Sequence, residues 1–287
     1  MQDTQHFSRR AEALLAQFAF IPHVRVDDLM VSLAAAGGGV GPHVDSYDVF
    51  LIQGHGRRRW RISGQSDTRF RPGLPLKILR DFRPEEEWVL ESGDMLYLPP
   101  GYAHEGVALD ECLTYSVGFR APTHQEWVES FLDQLRDHVC VDGQYADQNL
   151  TPTSHPGEIP ASIIGKLGSI LKAARWSRED VARAAGRFLT EPKSHVMFDP
   201  PEQEPSPAEF KRACARFGLR LDGRTRIAYR GNDLFINGEA VRVHAGRDGL
   251  LKQLADLRAL PPCKPIHSEL EQLHAWHGAG FLHVRND

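Results

Sequence analysis

The sequence predicts an α+β chain: a jelly roll of short strands, then a helical stretch, then a small module of helix, hairpin and helix. Three observations carry this. From Val24 to about Ala121, short apolar or alternating runs are separated by Gly- and Pro-rich turns. From Thr123 onward, apolar residues recur at helical spacing. Near the end, Asn237-Gly238 is a strong hairpin signal between two strand-like runs.

Taken in order, Ser8–Ala19 carries Ala11, Leu14, Leu15, Phe18 and Ala19 at helical spacing, and Ile21-Pro22 ends that helix. The strand-like runs are Asp28–Leu33, Tyr47–Gln53, Arg58–Ile62, Trp88–Leu90, Met95–Leu98 (a buried strand) and Leu113–Phe119. Their punctuation is Gly37-Gly38-Gly39, Gly41-Pro42, Arg71-Pro72-Gly73 and Pro99-Pro100-Gly101, the texture of a β-sandwich or jelly roll. Trp127, Phe131, Leu132 and Leu135 mark the next helix. A Pro-rich loop follows (Thr151–Pro160), then helices over Ile163–Ala174 and Arg178–Leu189. A second Pro-rich stretch, Asp199–Pro207, leads into the final region. There a helix over Ala208–Phe217 precedes strands at Arg226–Tyr229, Asp233–Ile236 and Ala240–His244, and helical spacing returns over Leu250–Leu260. This order resembles a winged-helix module.

Composition narrows the function. A net charge of -4 argues against a chain that is basic throughout, such as a general nucleic-acid binder. No apolar run approaches the roughly 18 to 20 residues of a membrane span, so no membrane role is expected. The polar start, Met1-Gln2-Asp3-Thr4-Gln5-His6, lacks the order of a signal peptide. Cys112, Cys140, Cys214 and Cys263 stand far apart, with no short-spaced pair for a zinc or redox motif, and the lack of a signal favours reduced thiols over disulfides and a cytoplasmic protein.

The chemistry concentrates in two segments. In Gly41-Pro42-His43-Val44-Asp45, residues two apart on a strand share a face, so His43 and Asp45 can bind one ion together. In Leu98-Pro99-Pro100-Gly101-Tyr102-Ala103-His104, a rigid bend presents a second imidazole at the end of a later strand. Two histidines and a carboxylate on one face leave the opposite positions of a metal open, the arrangement of non-haem iron(II) enzymes. A satisfied core histidine at each position is the bland alternative, but it does not explain two unrelated turns that both present imidazoles.

Arg57-Arg58-Arg59-Trp60-Arg61-Ile62 alternates, so Arg58 points inward with Trp60 and Ile62. A buried guanidinium needs an anion and suits a carboxylate. Arg57, Arg59 and Arg61 face outward, as a solvated strand face or a nucleic-acid patch. Thr114 and Ser116 share a face and either donate hydrogen bonds to a carboxylate ligand or fill the strand. Tyr47 shares the face of His43 and Asp45 and is a candidate for substrate positioning, whereas Asp48 points away.

Together, Gly37 through Phe50, Gln53-Gly54-His55-Gly56-Arg57-Arg58-Arg59-Trp60, Leu98-Pro99-Pro100-Gly101 and Tyr115-Ser116-Val117-Gly118-Phe119-Arg120 resemble the bacterial ribosomal oxygenases. These are JmjC-type cupin proteins that hydroxylate an arginine of a large-subunit ribosomal protein. The resemblance implies a double-stranded β-helix (jelly-roll) domain over 1–121, a helical dimerisation region over 122–200 and a winged-helix domain over 201–287. It implies iron(II) held by His43, Asp45 and His104, with 2-oxoglutarate bound by Arg58; Thr114 and Ser116, from the strand reading, are the further cosubstrate-binding candidates. A homodimer and a ribosomal-protein substrate follow from it. Two departures stand out. Thr114 occupies a position where the family carries asparagine. The family also usually carries several dozen residues ahead of this chain's first, supplying early strands, so part of the barrel wall is expected to be missing.

In that family, decarboxylation of 2-oxoglutarate to succinate accompanies insertion of oxygen into an unactivated C–H bond, and no side-chain acid or base is required. Rival readings are a cupin enzyme of another class using zinc or manganese, which Arg58 argues against, and a ribosome- or protein-binding module without activity. A winged-helix transcription factor with a sensory cupin is the third. Lys and Arg nearly balance Asp and Glu from Pro201 to Asp287, so DNA recognition is not expected.

Overall fold

Turns at glycine and proline divide residues 26–119 into eight strands, and alternation along each decides which side is buried. The computed structural model describes residues 1–146, 151–243 and 249–285. The strands are β1 (Val26–Ala34), β2 (His43–Val44), β3 (Val49–His55), β4 (Arg58–Ser63), β5 (Glu86–Leu90), β6 (Met95–Leu98), β7 (Ala103–Ala108) and β8 (Cys112–Phe119). They form two four-stranded antiparallel sheets, ordered β1-β8-β3-β6 and β2-β7-β4-β5, the double-stranded β-helix of a jelly roll. Each sheet holds four strands. Val49, Leu51 and Leu98 from one sheet meet Trp60 and Ile62 from the other.

Helix α1 (Arg9–Ala16) is capped by Ser8, whose hydroxyl accepts the Ala11 N–H at 3.4 Å. It is shorter than the expected Ser8–Ala19, because the chain turns ahead of Pro22, which cannot continue a helix. Ala11 and Phe18 cover the outer face of the first sheet at Leu29, Val117 and Phe119, so β8 is buried on both faces. Strand β6 departs from the expected buried run: Leu98 is buried, but Met95 and Tyr97 are exposed. The reason is position, since β6 is an edge strand that pairs with β3 alone.

Helices α2 (His124–Arg136), α3 (Ala161–Ala173) and α4 (Arg178–Thr190) follow, with Thr123-Glu126 and Ser177-Asp180 capping boxes starting α2 and α4. The C-terminal module comprises α5 (Pro207–Phe217), β9 (Leu219–Leu221), β10 (Ile227–Arg230), β11 (Asp233–Ile236), β12 (Glu239–Arg242), α6 (Gly249–Leu257), β13 (Ala259–Leu260), α7 (His267–Gly278) and β14 (Leu282–Val284). Asn237 and Gly238 both take positive φ, 48° and 86°, as a two-residue hairpin turn demands. The expected end of the third strand at His244 lies outside the described residues. The helix expected to reach Leu260 stops at Leu257, where Arg258 turns left-handed (φ 60°) and the next two residues pair with β9. No described helix is long and apolar enough to cross a membrane, and all four cysteines are free thiols.

Helix α4 bridges the regions that a boundary at 200/201 separates. Its Phe188 ring lies 4.8 Å from Trp127 of α2. On its other side, Thr190 Oγ1 accepts the Gly238 N–H at 3.2 Å, and Gly186 lies under the Phe235 ring of β11. A methyl group at Gly186 would overlap that ring. Gly186→Ala is therefore expected to destabilise the chain by about 1–3 kcal/mol through overpacking, although alanine favours helix, and urea unfolding measures it.

Candidate metal centre

Strand register brings the metal-binding candidates together. β2 pairs antiparallel with β7 so that His43 stands directly opposite His104, with ring centroids 4.2 Å apart. Asp45 follows β2, and its backbone carbonyl accepts the Gly101 N–H at 2.8 Å, tying it to the Pro99-Pro100-Gly101 bend. Asp45 Oδ2 lies 3.9 Å from His43 Nε2 and 3.6 Å from His104 Nε2. Ligand atoms of all three lie within 4.8 Å of one another, a cluster that can hold one metal ion.

The tautomers follow from hydrogen bonding. His43 Nδ1 lies 3.0 Å from the Gly41 carbonyl, and His104 Nδ1 lies 3.0 Å from that of Tyr102. A carbonyl only accepts, so each Nδ1 carries the proton and each Nε2 lone pair remains free for a metal. Burial, and then the neighbouring His43, hold His104 below the usual imidazole value, which favours the neutral form a ligand requires.

The three groups line one end of a cavity of about 360 Å³ between the two sheets. Arg58, from β4, also lines it and is 8% exposed. Its Nη1 donates to Thr114 Oγ1 at 3.1 Å and to Ser32 Oγ at 3.5 Å, while its buried Nε has no acceptor. Among the described residues no carboxylate lies within ion-pair reach of it. Trp60 Nε1, from the same strand, is a second buried donor without an acceptor. Burying an unpaired cation is costly, so this wall is built for an anionic, acceptor-rich ligand.

The sequence expected Thr114 and Ser116 to act alike, and the geometry separates them. Thr114 donates its proton to Gln53 Oε1 at 3.2 Å while accepting from Arg58, so it orients the guanidinium and has no proton left for a ligand. Ser116 lines the cavity with its hydroxyl uncommitted. Tyr47 lines it too, and burial together with the Asp45 carboxylate pushes its phenol up to about 12. Asp48 faces out, as parity requires, and takes Arg25 at 3.1 Å and the Tyr97 hydroxyl at 2.8 Å. Arg57, Arg59 and Arg61 meet Asp110, Glu87 and Glu105, so the outward face is ion-paired and offers nucleic acid no row of free cations.

Sequence reasoning missed Ser32, Gln53, Asp28 and Lys193. Ser32 was discoverable only from register, because β1 sets it opposite Thr114. Asp28 lines the cavity mouth with Asp27 and Lys193. Burial raises the Asp28 carboxyl, and none of the described cations pairs with it within 4 Å.

Two outcomes are expected. Manganese(II) or cobalt(II) affinity, measured by calorimetric titration, should fall as the pH drops into the acid range below the ordinary imidazole value, because protons then compete with the metal for Nε2. The lowered His104 value has a second effect with the same sign. The unfolded imidazole takes up a proton that the folded one resists, so the ligand-free chain loses stability as pH falls through that range. Arg58→Met should leave the ligand-free melting temperature unchanged or higher, since it removes a buried cation that lacks a counter-ion.

Two family models match: JmjC domain over residues 13–127 and ROXA-like winged helix over residues 173–272. The chain is 35% identical over 246 residues to the ribosomal protein uL16 3-hydroxylase of Escherichia coli, covering 84% of this chain and 65% of that protein. It is 39% identical over 159 residues to a probable ribosomal oxygenase of Haemophilus influenzae, covering 54% of this chain and 38% of that protein. It therefore spans just under two thirds of the E. coli relative's length. The X-ray structure of E. coli ycfD superposes with a TM-score of 0.85 at 33% identity, covering 98% of this chain and 77% of that one. A structure of the same protein with cobalt and 2-oxoglutarate gives 0.79 at 33%, covering 98% and 76%. The chain belongs to the ribosomal oxygenase family of JmjC proteins.

Proposed function

We propose that this chain is an iron(II)- and 2-oxoglutarate-dependent oxygenase that hydroxylates an arginine of a large-subunit ribosomal protein. The observation that carries the reading is one cavity with three metal-ligand atoms at one end and a buried arginine without a counter-ion in its wall. The E. coli relative, a uL16 3-hydroxylase, and the ycfD complex with cobalt and 2-oxoglutarate support it.

His43, Asp45 and His104 hold the metal, and their position on one side leaves the cavity side free for the cosubstrate. Bound iron(II) supplies oxygen activation, coupled to decarboxylation of 2-oxoglutarate. Arg58 binds the far carboxylate of the cosubstrate, with Thr114 and Ser32 orienting the guanidinium and Ser116 adding a donor. Trp60 and the apolar residues Val49 and Leu51 exclude water from that end.

At the mouth, Asp28 offers a half-buried carboxylate to a guanidinium. Tyr47 stays protonated at neutral pH and acts as a donor or an aromatic wall for that side chain. The exposed apolar side chains of α2 and α3, including Val128, Leu132, Ile164, Leu167 and Leu171, are the surface of a homodimer. The working compartment is the cytoplasm, where a ribosomal-protein substrate is made.

Incubated with iron(II), 2-oxoglutarate, oxygen and fragments of large-subunit ribosomal proteins, the chain should release succinate. One arginine should gain the mass of an oxygen atom, and His43→Ala should do neither. Arg58→Met should weaken 2-oxoglutarate binding by about 30-fold or more, the cost of a truncated charge pair. A wild-type chain that takes up metal but not 2-oxoglutarate sinks the reading in favour of a different metal-dependent cupin enzyme.

A further inference from the structure

Asp27, Asp28 and Lys193 line the mouth of the cavity, and the carboxylate of Asp3 stands just behind them. Lys193 Nζ lies 2.9 Å from Asp3 Oδ1 and 3.2 Å from Asp27 Oδ2, and its side chain lines the same cavity as the metal-binding cluster. Burial works to lower this ammonium, but the Asp3 hydrogen bond and the charges of Asp27, Asp28 and Asp3 hold it above its ordinary value. Arg58 is the other Lys or Arg side chain in the cavity lining, and it is held to Thr114 and Ser32.

Two details separate Lys193 from an ordinary structural ion pair. Its backbone is anchored independently of its ammonium. The Val196 N–H donates to the Lys193 carbonyl at 2.9 Å, and just upstream Arg120 Nη1 donates to the Leu189 carbonyl at 2.9 Å, so the flexible lysine stem can change partner without loss of these main-chain bonds. Asp27 and Asp3, moreover, do not depend on Lys193 alone. Arg226 donates to Asp27 Oδ1 at 3.1 Å and to the Val26 and Asp27 carbonyls, and His195 Nε2 lies 3.3 Å from Asp3 Oδ2. Releasing Lys193 therefore leaves Asp27 with its cation and adds negative potential where Asp28 stands.

We infer that Lys193 is an internal counter-cation that holds the acidic mouth in the ligand-free protein and yields it to a cationic substrate side chain. This rests on the arginine reading of the site. A neutral side chain cannot exchange with the ammonium. A guanidinium can, because its planar fork pairs with a carboxylate through two hydrogen bonds where the ammonium acts as a point charge. Lys193 thus sets how strongly the mouth favours a cation, without touching the reacting atoms.

The test uses a fluorescein-labelled peptide with one arginine flanked by glycines, and its citrulline twin, which keeps the shape and loses the charge. Binding to the full chain with manganese(II) and 2-oxoglutarate is read by anisotropy at low ionic strength. Lys193→Met should bind the arginine peptide about two- to fivefold more tightly, the worth of one partly exposed ion pair, and the citrulline peptide unchanged. Lys193→Arg, which grips the carboxylates with a fork of its own, should bind the arginine peptide more weakly than wild type. Arginine affinity that is unchanged or reduced in Lys193→Met overturns the inference. If wild type still prefers arginine to citrulline, the substrate reading survives that result. No arginine preference in wild type, in Lys193→Met or relative to Asp28→Asn removes the substrate reading, and the inference with it.

Discussion

The pairing of two short strands is the constraint on which this site depends. β2 is only two residues long, yet its register against β7 sets His43 opposite His104. A shift of one residue would turn one imidazole to the other side of the sheet and dismantle the cluster. Two backbone features hold that register: the Gly101 N–H bound to the Asp45 carbonyl, and the Leu79 N–H bound to the Pro42 carbonyl. The fully buried Leu79 thereby fastens the loop between β4 and β5 onto the segment that carries His43 and Asp45. The candidate metal centre is thus built from main-chain geometry first, and its side chains follow.

The second organising element is a charge left without a partner. Proteins rarely bury arginine without a carboxylate, and here, among the described residues, the guanidinium is met by the hydroxyls of Thr114 and Ser32 and the face of Trp60 at 5.3 Å. Such an arrangement sacrifices stability in the empty protein and recovers it when an anion arrives. The chain Arg58 to Thr114 to Gln53, with Gln53 donating to the carbonyls of His55 and Gly56, fixes the guanidinium ahead of that event. Thr114 thus serves this network as a support for arginine.

Sequence-distant segments meet at the cavity mouth. Asp3 and Asp27 come from the first thirty residues, Lys193 from the segment after α4 and Arg226 from the turn ahead of β10 in the C-terminal module. Arg226 reaches across to β1, while Glu12 of α1 pairs with Arg220 of β9. These contacts join the C-terminal module to the wall of the cavity, which gives that module a part in shaping the entrance.

The sequence alone determined the fold class and the metal-binding candidates, because both rest on local rules. Alternation aimed Arg58, Trp60 and Ile62 at one side, two-residue spacing paired His43 with Asp45, and a proline–glycine bend announced His104. Asn237-Gly238 announced its hairpin for the same local reason. Tertiary structure alone decided what depended on partners far along the chain. Strands of two or three residues, such as β9, β13 and β14, are too short to show a period and exist because they pair with one another. The exposure of Met95 and Tyr97 followed from β6 lying at a sheet edge, which no pattern within β6 records. Ser32, Asp28 and Lys193 entered the site through register and domain contact, and Thr114 and Ser116 parted company because only one has Gln53 beside it. Periodicity tells which face a residue takes, but the neighbour across that face is chosen by the fold.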